Sequence, residues 1–180
     1  WVPVGTLQVG LAFLVEPLSI AMCLFVTFIA GWIHMFAVGY MHGDPKFSKF
    51  FLYLNLFVFS MTLLVLGENL LVTFLGWEGV GTCSYLLIAF WHTRESAATA
   101  GKKAFLTNRV GDIGLLVGMI VLFFTAGAGL TFSIQSINEA AVSGTNLAGG
   151  EVTHTALLVA SVALMAAVMS KSGQFFLHTW

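Results

Sequence analysis

Charge is scarce in this 180-residue chain: Asp, Glu, Lys and Arg together make up 8% of it, against roughly 25% in a soluble domain. With 58% hydrophobic residues and a mean hydropathy of +0.95, the chain cannot build a water-exposed surface. Cysteine is scarcer still. Cys23 and Cys83 are far apart, each in an apolar run, which excludes a CxxC pair or a disulfide framework and gives no indication of a metal or redox site. Neither sign of charge is in excess, the formal net charge being -1, so no basic field exists to attract nucleic acid and no acidic tail suggests a chelating role. There is no initiator Met, no basic start with a cleavage site, and no stop signal after Trp180. The chain reads as an internal fragment.

What is present is a succession of apolar runs. Over residues 1–16 the odd positions Leu7, Val9, Leu11, Phe13 and Val15 are apolar, alternating with Thr6, Gln8, Gly10 and Ala12. A period of two predicts a short strand, placed outside the bilayer core. Glu16 and Pro17 suit the first turn of a helix, and the run they open, to about residue 40, is long enough to span: roughly 20 apolar residues cross about 30 Å. Further spans are expected at about 50–66, 70–90, 104–125 and 155–177. The polar patch His42-Gly43-Asp44-Pro45-Lys46, the turn Gly67-Glu68-Asn69 and the charged segment WHTRESAATAGKK at 91–103 separate the first four. The last is preceded by a Gly-, Ser-, Thr- and Asn-rich loop with one surface helix near 133–142. The expected fold class is all-α, a polytopic transmembrane helix bundle of about five spans in one membrane domain, with a short extramembrane β segment at its N-terminus.

Lys46, Lys49, Arg94, Lys102 and Lys103 fall on one side of such a weave, and the opposite loops hold Glu68, Glu139 and Glu151 without Lys or Arg. The positive-inside rule makes the basic side cytoplasmic, matrix or stromal. Trp91 falls at a predicted interface, where aromatic anchors are expected.

The charges inside the spans carry the functional argument. Glu78 lies about eight residues into the third span, roughly 12 Å along the helix and near mid-membrane. A charge there costs about 2.5 to 3.5 kcal/mol on insertion scales and faces a wet cavity or a partner. The structural alternative is a protonated, hydrogen-bonded Glu. Around it, Gly76, Gly79 and Gly81 leave room for a neighbouring helix; the run GWEGVG is not a phosphate loop, because it lies inside an apolar span with no preceding strand. Lys171, deep in the last span and followed by Ser172 and Gly173, is either a lysine snorkelling to the interface or a titrating proton carrier. Low dielectric favours its neutral form and a nearby carboxylate its charged form, so a Glu that pairs and unpairs would toggle its proton. Arg109 and Asp112, three apart, share a helix face and can neutralise each other; structural and functional readings both stand. His34 and His178 could relay protons, His34 being the better packing residue and His178, seven positions after Lys171, the better relay candidate. Neither has metal-ligand spacing.

Three segments stand in order: WEGVGTCSYLLIAFW at 77–91, KKAFLTNRVGDIG at 102–114 and KSGQFFLHTW at 171–180. With VEPLS at 15–19 and KFFLYLNLFVFSM at 49–61, they closely resemble the antiporter-like L subunit, or chain 5, of respiratory NADH:quinone oxidoreductase (complex I), over essentially the whole chain. The resemblance implies a proton channel in which a glutamate, here Glu78, faces a lysine on a broken helix, here Lys171, and it makes Arg109 and Asp112 a functional pair. It implies a subunit of an enzyme that does no redox chemistry itself and holds no cofactor: NADH, FMN, iron-sulfur clusters and quinone belong to partner subunits. The implied partners are the other membrane subunits, the lipid bilayer and protons, in a bacterial plasma membrane or an organelle inner membrane. The family has proline where Phe176 stands and alanine where Gly173 stands, so Gly173 is expected to serve as the weak point of the helix, glycine loosening it by about 1 kcal/mol relative to alanine. At Glu16 the family more often has aspartate. Two other readings remain: the large subunit of a multi-subunit sodium/proton antiporter or membrane-bound hydrogenase, and a membrane scaffold whose buried pair only fixes packing.

Overall fold

A computed structural model describes residues 2–5 and 7–180. Two three-residue strands, β1 (Val2–Val4) and β2 (Leu7–Val9), pair antiparallel with Val4 opposite Leu7. The alternation that continues to Val15 forms no longer strand. Among the described residues the pairing beyond Val9 is a single bridge from Phe13 to Gly67, and isolated extended chain does not hold itself.

Six helices follow among the described residues: α1 (Pro17–Tyr40), α2 (Phe47–Leu66), α3 (Leu70–Ile88), α4 (Glu95–Thr125), α5 (Ile134–Ser143) and α6 (His154–Lys171). All but α5 are long and apolar enough to cross a membrane, which makes the chain a multi-pass integral membrane protein. Pro17 sits at the first helical position of α1, where its missing N–H is not needed, and the Glu16 N–H donates to Ser19 Oγ at 2.8 Å. Two boundaries differ from the hydropathy reading. α4 begins at Glu95 rather than near residue 104, because ESAATA combines good helix formers with an acid in the first turn, where the helix dipole favours it. α6 stops at Lys171 rather than near 177: Gly173 adopts φ +58°, and the Gln174 N–H turns back to the Met169 carbonyl at 3.0 Å.

The chain divides into two compact units. One comprises Phe13–Gly67 and Thr73–Phe105. Its α2 and α3 cross at glycines: a Cβ on Gly76 would lie 2.5 Å from the Leu64 backbone nitrogen, and one on Gly79 would lie 2.5 Å from Ser60 Oγ. Only glycine permits that approach.

The other comprises Trp1–Ala12, Glu68–Val72 and Leu106–Trp180. Buried Asn69 is its junction, donating from Nδ2 to the Gly10 carbonyl at 2.9 Å and accepting the Val72 N–H at 3.0 Å. The adjacent Glu68 carbonyl accepts the Ile134 N–H at 3.1 Å. The core of this unit is Ala126, Ile137, Ala140 and Val152, packed with Leu70, Leu122 and Leu157, so α5 is pinned by one apolar face. Its C-terminus is closed by Gly144 at φ 74°. α4 and α6 meet along Gly111, Gly114 and Gly118, where added Cβ atoms would strike Ser170, the Ala163 carbonyl and Leu164.

Candidate functional site

The α4–α6 crossing places charged and polar side chains among apolar residues. Asp112 is buried, only 6% exposed, and its Oδ2 lies 3.6 Å from Arg109 Nη1. The i,i+3 spacing puts both on one face of α4. Gly111 meets Ser170, so the last turn of α6 is pressed against the turn of α4 that carries this pair. Ser170 is fully buried; its Oγ lies 3.2 Å from the Thr107 carbonyl and 3.4 Å from both the Asn108 carbonyl and Asn108 Oδ1. Lys171, half-buried, is the final residue of α6, where the negative end of the helix dipole favours a cation. The Trp180 indole N–H donates to the Ser170 carbonyl at 2.9 Å, which also accepts the Gly173 N–H at 3.3 Å.

The structure therefore brings Arg109, Asp112 and Lys171 to one helix crossing. His178 is in the same unit but exposed, in the turns after α6. Glu78 belongs to the other unit, half-buried on α3. At 100° per residue it lies on a different face from Gly76 and Gly79, which meet α2. His34 is half-buried on α1, with Nδ1 2.7 Å from the Ala30 carbonyl and its ring 5.9 Å from that of Phe51. Asn108 and Ser170 were not singled out from the sequence. Their signal is a small polar residue immediately before a charge inside an apolar span, a pattern that makes interhelical hydrogen bonds in membranes. Among the described residues no group of three or more His, Cys, Asp or Glu side chains is placed to hold a metal ion.

An apolar multi-helix chain with ionisable residues in its spans defines a class, the multi-pass integral membrane proteins. Residues 67–180 match the family model described as NADH:quinone oxidoreductase/Mrp antiporter, TM, and residues 1–51 match that of NADH-Ubiquinone oxidoreductase (complex I), chain 5 N-terminus. The chain belongs to the NADH:quinone oxidoreductase/Mrp antiporter transmembrane family. It is 42% identical over 181 residues to the NADH-quinone oxidoreductase subunit L of Mycobacterium tuberculosis, a match covering all of this chain and 27% of that protein. It is 38% identical over 180 residues to the NADH-ubiquinone oxidoreductase chain 5 of Allomyces macrogynus, covering all of this chain and 26% of that one. With the chloroplastic NAD(P)H-quinone oxidoreductase subunit 5 of Zygnema circumcarinatum the identity is 43% over 180 residues, again all of this chain and 25% of the relative. The chain thus spans about a quarter of the length of the curated relatives it matches.

Proposed function

We propose that the chain is part of the proton-translocating membrane subunit of an NADH:quinone oxidoreductase, with protons moving along a path that uses Glu78 and Lys171. The observation that carries this reading is the α4–α6 crossing: buried Asp112 paired with half-buried Arg109 on α4, and Lys171 next to the Ser170 that meets Gly111. Structural packing alone has little use for that much charge in a bilayer. The chemistry follows from the surroundings of the lysine. In general, low dielectric favours the neutral form of an amine and a nearby carboxylate its ammonium form. A signal that shifts a carboxylate partner, the role given to Glu78, changes which form is stable and so binds or releases a proton. Arg109 sets how strongly Asp112 is felt, and exposed His178 passes protons to water.

On this reading the other membrane subunits are the partners, and NADH, FMN, iron-sulfur clusters and quinone are held by subunits other than this one. The N-terminal hairpin lies outside the bilayer. A second reading, the large subunit of a multi-subunit sodium/proton antiporter, is favoured by the family description itself, which spans both groups.

The test uses the full-length subunit in its native complex, reconstituted in vesicles, with NADH-driven proton uptake compared for wild type, Lys171→Ala and Glu78→Gln. The proposal requires both variants to assemble and to lose uptake. Normal uptake in Lys171→Ala refutes the lysine mechanism; failure to assemble in Glu78→Gln points to a scaffold role for the carboxylate. Assembly with no NADH-dependent activity in wild type, but with sodium-dependent proton exchange, selects the antiporter reading.

A further inference from the structure

In the unit that contains α2 and α3, a half-open cavity of about 190 Å³ is lined by Lys49, Tyr53, Tyr85, Leu86, Ala89, Phe90 and His92. Its mouth is cationic and its floor apolar. Lys49 is in the first turn of α2, exposed, with Nζ 5.7 Å from the Tyr53 ring centroid. His92, also exposed, stands in the turn after α3, while Phe90 beneath is buried and meets Phe50 and Tyr53 edge-on at 5.2 and 6.5 Å. The hydroxyls of Tyr53 and Tyr85 add two hydrogen-bond donors among the lining residues.

Three further observations say what fits. Lys46, Arg94, Lys102 and Lys103 lie at the same end of this unit. Against these and Lys49 stand only two acids, Glu95 and Asp44, the latter accepting from the Lys46 N–H at 2.7 Å and the Trp91 indole at 3.3 Å. The net field at the cavity is therefore positive. Second, Tyr40, Phe90 and Trp91 form a chain of rings, with centroids 6.2 and 6.0 Å apart, the kind of aromatic belt found at headgroup depth. Third, the face of α2 that carries Lys49 continues as Leu52, Leu56 and Phe59, which are 63%, 44% and 61% exposed. Positions 49, 52, 56 and 59 fall within about 80° of one another on a helix.

We propose that this cavity binds an anionic phospholipid, its phosphodiester held by Lys49, His92 and the two tyrosine hydroxyls and one acyl chain lying along Leu52, Leu56 and Phe59. A soluble phosphate compound would leave the stripe uncovered. A lipid presents a phosphate at headgroup depth with hydrocarbon directly below it, and basic pockets between helices on the positive side of a membrane take such headgroups. The site does not depend on how protons move through the protein.

The experiment titrates the full-length protein in detergent with short-chain phosphatidylglycerol or phosphatidylcholine and reads bound lipid by native mass spectrometry. Phosphatidylglycerol should bind more tightly, and Lys49→Gln with His92→Gln should weaken it about fivefold or more, one surface cation contributing about that factor, and weaken phosphatidylcholine, whose choline offsets the charge of its phosphodiester, by a smaller factor. Lys49→Arg should retain binding, and Tyr53→Phe with Tyr85→Phe, which keeps the rings, should weaken it by a smaller factor. Equal binding of the two lipids, or unchanged phosphatidylglycerol binding in the folded Lys49→Gln, His92→Gln protein, overturns the proposal. So does displacement of the lipid by inorganic phosphate at equal concentration, which would mean an anion site without lipid specificity.

Discussion

Gly111→Ala is the sharpest test of the α4–α6 crossing, because its sign is in question. In an uncrowded helix the change stabilises by about 1 kcal/mol through helix propensity. Here the new Cβ would overlap Ser170 Cβ, lie 2.7 Å from Ser170 Oγ and 3.3 Å from the Ala166 carbonyl. A Cβ is fixed to the backbone and cannot rotate away, so the crowding should fall in the upper part of the 1–3 kcal/mol typical of overpacking. The net expectation is a loss of about 1–2 kcal/mol. Ser170→Gly alone should cost about as much, through lower helix propensity and loss of the hydroxyl's contact with the Thr107 carbonyl. In the double variant the overlapping atoms are gone, and the two losses should fall short of their sum by about 1 kcal/mol or more. The assay is SDS-driven unfolding of the full-length protein in mixed micelles, followed by helical circular dichroism. A stabilised Gly111→Ala protein, or single effects that add to within about 0.5 kcal/mol, would refute the packing argument and with it the seating of Ser170, in the last turn of α6, against the Arg109–Asp112 turn.

Two other substitutions test the second helix crossing and the junction. Gly76→Val should force α2 and α3 apart at Leu64, costing about 3 kcal/mol or more because the clash is with backbone; an intact, equally stable protein would count against that crossing. Asn69→Ala strands the Gly10 carbonyl and the Val72 N–H, a loss of about 1–3 kcal/mol; the local sign would be faster hydrogen exchange at residues 7–10, and unchanged exchange would mean that the junction is held by other bonds.

Much of the architecture is legible without coordinates, and particular residues show why. The apolar run from Pro17 has no alternative to a helix in a bilayer, where every backbone polar group must find a partner within the segment. Gly76 and Gly79 could be read as contact points because small residues let membrane helices approach. Helix ends were less readable. Hydropathy ignores the helix propensity that starts α4 at Glu95, and it carries the last span through the Ser172–Gly173 turn because Phe175, Phe176 and Leu177 are apolar. The alternation from Leu7 to Val15 overstated the strand, since alternation reports a preference and a strand needs a neighbour.

By itself the sequence determined that this is a membrane protein of many helices, which residues bear charge within it, and which family it belongs to, since all three follow from the identity and order of residues along the chain. Only the tertiary structure decided which of those charges meet. Where nearly every position is apolar, no periodicity marks an inward face, so nothing in the sequence paired Gly111 with Ser170 or lined one cavity with Lys49, Tyr85 and His92. Gly111 and Ser170, like Lys49 and Tyr85, lie tens of residues apart, and the close approach that glycine permits is what brings the first pair together.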